Sequence, residues 1–164
     1  MRKKREEEIV MGIDPGFGRM GFAAVRSKGL QWEAVDFGVM TTPISKDFGR
    51  RLASLAEDLQ ALFLELRPGL LAVEQLFVTK NQKTAMRVSE ARGVVLLLAA
   101  QLGIPVVELT PNQVKSAVCG DGRADKAGVQ RMVKRLFNLS KIPKPDDAAD
   151  ALAIALAGTE CFVR

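Results

Sequence analysis

The chain opens in short apolar runs. Ile9 to Ile13 is the first, and it ends at Asp14-Pro15-Gly16. A short apolar run closed by turn residues reads as a buried strand, and Pro followed by Gly fits the two central positions of a type II turn. Met20 to Val25 and Val35 to Met40 read as two further strands, with Lys28-Gly29 between them as a hairpin turn. The pattern predicts a three-stranded antiparallel meander.

At Arg50 the period changes. Leu52, Leu55, Leu59, Leu62 and Leu66 fall at spacings of three and four, which predicts an amphipathic helix over Arg50 to Leu66, ended by Pro68-Gly69. Leu70 to Val73 is another buried strand, and it ends at Glu74. Met86 to Leu102 reads as a long helix, apolar almost all round in its second half, and Gly103 stops it. Ile104 to Leu109 is a strand, and Thr110-Pro111 opens a helix with proline at its first position. Lys126 to Phe137 is amphipathic, with Val129, Met132, Val133 and Leu136 on one side and Lys126, Arg131, Lys134 and Arg135 off it. After the Pro-containing connector Ile142 to Pro145, Asp146 to Ala157 is an Ala-rich final helix. A meander followed by alternating helix and strand predicts an α/β fold, a five-stranded mixed sheet with helices on both faces. Residues 9–164 are expected to form one domain, preceded by a charged arm at 1–8 that is solvated or disordered.

The 164-residue length suits one domain with a full core. Twenty-four Lys+Arg against 19 Asp+Glu give a net charge of +5, which favours a polyanionic partner, nucleic acid first among them. There is no histidine. That excludes a Ser-His-Asp triad, a Cys-His dyad and any His-ligated zinc site. Hydrolysis here must rest on carboxylates, lysines or metal ions. Cys119 and Cys161 lack zinc or redox spacing and read as cytosolic thiols. No apolar signal region follows the charged first residues, and the apolar stretch Gly93 to Ala100 is too short to cross a bilayer. A cytoplasmic protein without a membrane partner is expected.

The acids carry the candidate chemistry. Asp14 and Glu74 each end a strand, where open α/β sheets build their sites. Alone, each reads equally as the first solvated residue after a strand. Asp146 or Asp147 suits a helix start, as a cap or as a charge facing the helix dipole. Asp150 stands inside an apolar run, where aspartate has poor helix propensity and a buried carboxylate needs a partner or a metal. Asp147 and Asp150 are three residues apart and share one helix face, and the surrounding alanines would let that face approach the sheet. Carboxylates converging from two strand ends and one helix make a hard oxygen site that suits Mg²⁺ or Mn²⁺. Two such ions about 4 Å apart can activate a water and stabilise the leaving oxygen of a phosphodiester.

Gly12-Ile13-Asp14-Pro15-Gly16 resembles the opening motif of RuvC-type Holliday junction resolvases. Val73-Glu74-Gln75-Leu76-Phe77, followed by Lys80-Asn81, resembles their second motif. Gln113-Val114-Lys115 and then Lys126 resemble their basic segment, and Asp147-Ala148-Ala149-Asp150-Ala151-Leu152-Ala153 their C-terminal signature. The ordered set runs from Ile9 to about Gly158. The opening motif is shared with actin-like ATPases and other ribonuclease-H relatives, so the weight lies on the full set.

The resemblance implies a ribonuclease-H-like fold and a homodimeric nuclease that binds four-way junction DNA. Such enzymes nick two opposed strands symmetrically during recombination and repair, with Mg²⁺ or Mn²⁺, alongside a branch-migration complex. Carried over, Asp14, Glu74, Asp147 and Asp150 are the catalytic and metal-holding acids, with two ions per site and Asp14 bridging them. The family's third position is Asp or His; here it is Asp147, with Asp146 beside it as a supporting or capping group. Lys115 and Lys126 would hold junction phosphates, Phe77 would stack on opened bases, and the Thr79 to Thr84 loop with Lys80 and Lys83 would enter the crossover. Part of the apolar Met86 to Leu102 helix is expected at the dimer interface. This chain departs from the pattern in the extra residues before the first acid and in having no tyrosine.

Other readings stand beside this one. The acid set alone also fits a nuclease acting on RNA–DNA hybrids or a YqgF-type RNA-processing nuclease. An actin-like nucleotide-binding domain would need a second such domain to clamp ATP. A non-catalytic junction-binding module would not need the acids.

Overall fold

In strand β1 (Ile9–Asp14) the side chains alternate between two cores. Val10 joins one cluster and Met11 and Ile13 join the other, so both faces of the strand are covered. The computed structural model describes residues 8–28, 31–44, 47–76 and 81–162. Strand β1 pairs antiparallel with β2 (Arg19–Lys28), and β2 pairs antiparallel with β3 (Gln31–Thr41), with a bulge between Ala24 and Val25. This is the expected meander. Gly29 of the expected hairpin turn lies outside the described residues, as do residues 1–7 of the charged arm.

The chain continues through α1 (Phe48–Leu66), β4 (Leu70–Glu74), α2 (Gln82–Gln101), β5 (Val106–Leu109), α3 (Pro111–Cys119), α4 (Lys126–Leu136) and α5 (Asp146–Phe162). Strands β4 and β5 add in parallel on the far side of β1, giving the sheet order β3-β2-β1-β4-β5. Met11, Ile13, Leu71 and Val73 pack with Leu55, Leu59 and Phe63 of α1 and Val95 and Leu98 of α2. Val10, Ala72 and Val25 pack on the other face with Leu152 of α5, Val114 of α3 and Val133 of α4. The sheet is mixed and helices cover both faces, as the pattern predicts.

Three local expectations change. Gly16 does not adopt a positive φ, so Pro15-Gly16 is not the centre of a type II turn. Gly16 is needed for closeness instead: a Cβ there would stand 1.9 Å from the Arg19 carbonyl oxygen. Helix α2 starts four residues before Met86, at Gln82, because the Asn81 side chain caps it by accepting from the Thr84 N–H at 3.2 Å. On α4, Leu136 is exposed and Phe137, just past the helix, is the buried residue. No described helix is long and apolar enough to cross a membrane.

Candidate active site

Parallel pairing of β1 with β4 sets the site. Ile13 pairs with Val73, so the next residues on each strand, Asp14 and Glu74, leave the sheet side by side. Strand alternation sends Ile13 and Val73 towards α1 and α2, and therefore turns Asp14 and Glu74 towards α5. Helix α5 lies unusually close to the sheet. A Cβ on Gly12 would stand 2.3 Å from the Ala151 carbonyl oxygen and 2.4 Å from the Ala155 nitrogen. One on Gly21 would stand 2.0 Å from the Asp147 carbonyl oxygen. Bare glycine backbone on β1 and β2, facing the alanines of α5, is what brings the helix-borne acids to the strand ends.

A cavity of about 200 Å³ results, bordered by Asp14, Glu74, Asp150, Lys115 and Lys126 over a floor that includes Val114 and Ile154. Its electrostatics are strained. Burial pushes the Asp14 carboxyl up from 3.8 to about 8, and repulsion from Asp150, Glu74 and Asp147 adds to it, against the attraction of Lys126. Burial, then repulsion from Asp150, raises Glu74, while Lys115 works the other way. Burial also raises Asp150, and Lys126 only partly offsets it. Partial burial disfavours the Lys126 ammonium, but Asp150 and Asp146 outweigh it and its pKa is raised.

Asp147 and Asp150 share a helix face but engage different cations. Lys126 Nζ stands 3.2 Å from Asp150 Oδ2 and 3.6 Å from Asp146 Oδ2. Asp146 is also paired with Lys144 at 2.8 Å, so it serves the lysines and not the cavity. Asp147 turns to Arg19, whose Nε lies 3.1 Å from its Oδ2. That approach is too oblique for a hydrogen bond, and Oδ2 is buried with no donor. Asp150 borders the cavity with Asp14 and Glu74, but no three acidic groups among the described residues form a finished metal-ligand cluster. The donor set nonetheless fits a hard divalent cation. It offers only carboxylate oxygens, it holds them at mutual repulsion, and it leaves one buried oxygen without a partner.

Of the expected nucleic-acid residues, Lys115 and Lys126 flank the cavity. Lys83 stands exposed in the first turn of α2 and is not among the residues that line it. Phe77 and Lys80 lie outside the described residues.

Several contributors were missed in the sequence. Arg19 is one. Arg92 is another: its Nε donates to the Glu74 carbonyl at 3.3 Å and its guanidinium pairs with Glu108, which ties the end of β4 to α2 and β5. Arg92 follows the polar Ser89 and Glu90 on α2, so no charge inside an apolar run marks it in the sequence. The loop after Asp14 is braced as well. Thr42 Oγ1 donates to the Phe17 carbonyl at 2.7 Å, and Arg51 donates to Thr42 Oγ1 at 3.0 Å and to the same carbonyl at 3.2 Å.

The family described as "Crossover junction endodeoxyribonuclease RuvC" matches residues 10–158. The chain belongs to the RuvC family. It is 49% identical over 148 residues to the RuvC of Ruminiclostridium cellulolyticum, covering 90% of this chain and 89% of that one. It is 45% identical over 154 residues to the RuvC of Natranaerobius thermophilus, covering 94% of this chain and 96% of that one. Among solved structures it resembles Thermus thermophilus RuvC in complex with Holliday junction substrate, with a TM-score of 0.87 and 34% identity, covering 93% of each chain. The fold is thus the ribonuclease-H-like α/β fold of RuvC, as the motifs imply.

Proposed function

We propose that this chain is a metal-dependent endodeoxyribonuclease that resolves four-way DNA junctions by symmetric nicking of two opposed strands in recombination and repair. The observation that carries the reading is the cavity where Asp14, Glu74 and Asp150 meet beside Lys115 and Lys126, in a chain of the RuvC family. A relative of the same fold is described in complex with Holliday junction substrate.

Asp14, Glu74 and Asp150, with Asp147, would hold two Mg²⁺ or Mn²⁺ ions. When bound, such ions supply Lewis acidity towards an attacking water and the leaving phosphodiester oxygen. The chain's own residues do the rest. The strand ends fix Asp14 and Glu74, and α5 fixes Asp150 against them. Lys115 and Lys126 hold backbone phosphates over the acids, so that a polyanion can approach a carboxylate site. Lys80, Lys83 and Phe77 are the further DNA-contacting residues that the family motifs imply. Helix α2 exposes Met86 and Leu97, an apolar surface suited to a second copy of the chain, whose two-fold symmetry would match that of the junction. A branch-migration complex in the cytoplasm is the expected further partner.

The test is cleavage of a labelled four-way junction, a linear duplex and an RNA–DNA hybrid, each with Mg²⁺ and with Mn²⁺, with Asp14→Asn alongside. Paired symmetric nicks in the junction alone, lost in chelator and in the variant, are expected. Preferential cutting of the hybrid would move the chain to another class of ribonuclease-H-fold nuclease. Tight junction binding with no cutting of any substrate would leave a binding module.

A further inference from the structure

Arg19 opens β2, five residues after Asp14, and no sequence motif singles it out. Its side chain is 56% exposed, whereas Asp147 is 24% exposed and its Oδ2 is fully covered. The cation of this pair therefore faces solvent while the carboxylate oxygen faces the interior. The contact is incomplete, because Nε approaches Oδ2 to 3.1 Å without a hydrogen bond. A guanidinium so placed can exchange a carboxylate for a phosphate, since both fit its fork of donors. A carboxylate oxygen so placed gains from any better-aligned cation.

We propose that Arg19 is a positioning residue that shares Asp147 between two states. In the free protein Arg19 holds Asp147 away from the cavity. When a junction binds, Arg19 turns to a DNA phosphate and Asp147 is released to the metal. Metal and junction binding then strengthen each other through this one side chain, by the reciprocity that linkage requires. This rests on the metal-dependent reading above. It goes beyond it in giving Arg19 the coupling of cofactor to substrate.

The experiment is a double-mutant cycle in metal binding. Mn²⁺ is titrated calorimetrically, without DNA, into the parent, Arg19→Gln, Asp147→Asn and the double variant. A partly exposed ion pair of this kind is worth roughly a 2- to 5-fold change in affinity. Arg19→Gln is therefore expected to tighten Mn²⁺ binding by about that factor in the parent background, and to do nothing in the Asp147→Asn background. In chelator, fluorescence anisotropy should show Arg19→Gln weakening junction binding and lowering the salt slope by about one. Arg19→Lys, which keeps a point charge, should recover part of the junction affinity, and a purely structural role would not give that pattern. Equal tightening in both backgrounds would mean that Arg19 acts only as a nearby charge, and would overturn the proposal. So would unchanged Mn²⁺ affinity, or unchanged junction binding. A parent protein that binds no Mn²⁺ would instead overturn the metal reading itself, and this inference with it.

Discussion

Asp14→Asn should make the metal-free protein more stable while abolishing its activity. Asp14 has its carboxyl raised from 3.8 to about 8, chiefly by burial and then by its acidic neighbours. The shift is about 4 pK units, and at 1.36 kcal/mol per unit it sets a ceiling of about 6 kcal/mol. Asp14 remains partly open to water, and effective dielectric constants at such sites are near 20, so a realised value of about 2–3 kcal/mol is expected. The sign follows from linkage. A carboxylate whose folded pKa is raised binds its proton more tightly in the folded state. The folded state therefore carries no ionisation penalty below the unfolded value near 4, a growing one from pH 4 to 8, and the full penalty above 8. Asparagine keeps the shape and removes the charge. In chelator, the variant should match the parent near pH 4 and unfold roughly 5–10 °C higher at pH 8 or above, at about 2–4 °C per kcal/mol for a chain of this size. Saturating Mg²⁺ should close the gap by stabilising only the parent, by about 2.7 kcal/mol at a hundredfold excess over Kd. Thermal unfolding followed by circular dichroism across that pH range is the assay. A variant no more stable than the parent at pH 8, or a gap independent of pH, would refute the account of the site as an electrostatically strained cavity.

Three further outcomes are expected. Gly12→Ala puts a methyl group 2.3 Å from a helix carbonyl that cannot yield, so α5 must shift; a loss of about 3 kcal/mol in denaturant unfolding and a fall of at least about a hundredfold in nicking rate should follow. Arg92→Ala leaves the Glu74 carbonyl and Glu108 without their shared donor; it should cost about 1–3 kcal/mol and lower kcat more than it raises KM, with Arg92→Lys intermediate. Lys126→Gln removes a cation that favours the ionised forms of Asp14 and Asp150, so the acid limb of the pH–rate profile should move to higher pH, and junction binding should lose about one unit of salt slope.

How much of this was legible depends on whether the cause was local. Strands and helices declared themselves by period, and Asp14 and Glu74 by ending apolar runs. The start of α2 did not, because its first turn is polar and is defined by a cap at Asn81. Gly21 lies in no motif, and Gly12 enters only as the first residue of the opening one. Their importance comes from α5, more than 120 residues later, lying almost in contact with their backbones. Nothing in sequence spacing fixes that approach.

The separate fates of Asp147 and Asp150 show the same limit from the chemical side. Three residues apart on one helix, they share a face, and the spacing correctly brings both to the sheet. Which cation each meets depends on what the neighbouring elements project into that space: Lys126 from the start of α4 for Asp150, and Arg19 from the start of β2 for Asp147. A rule on charges inside apolar runs finds Asp150, because it sits where an unpaired charge is costly, and it passes over Arg92, which follows the polar Ser89 and Glu90. It cannot find Arg19, which is exposed and costs nothing to leave in water. A site whose acids repel one another is held in shape by both kinds of cation. The half-buried Arg92 fixes Glu74 through its backbone, and the surface cations Arg19 and Lys126 compensate charge that a metal would otherwise neutralise.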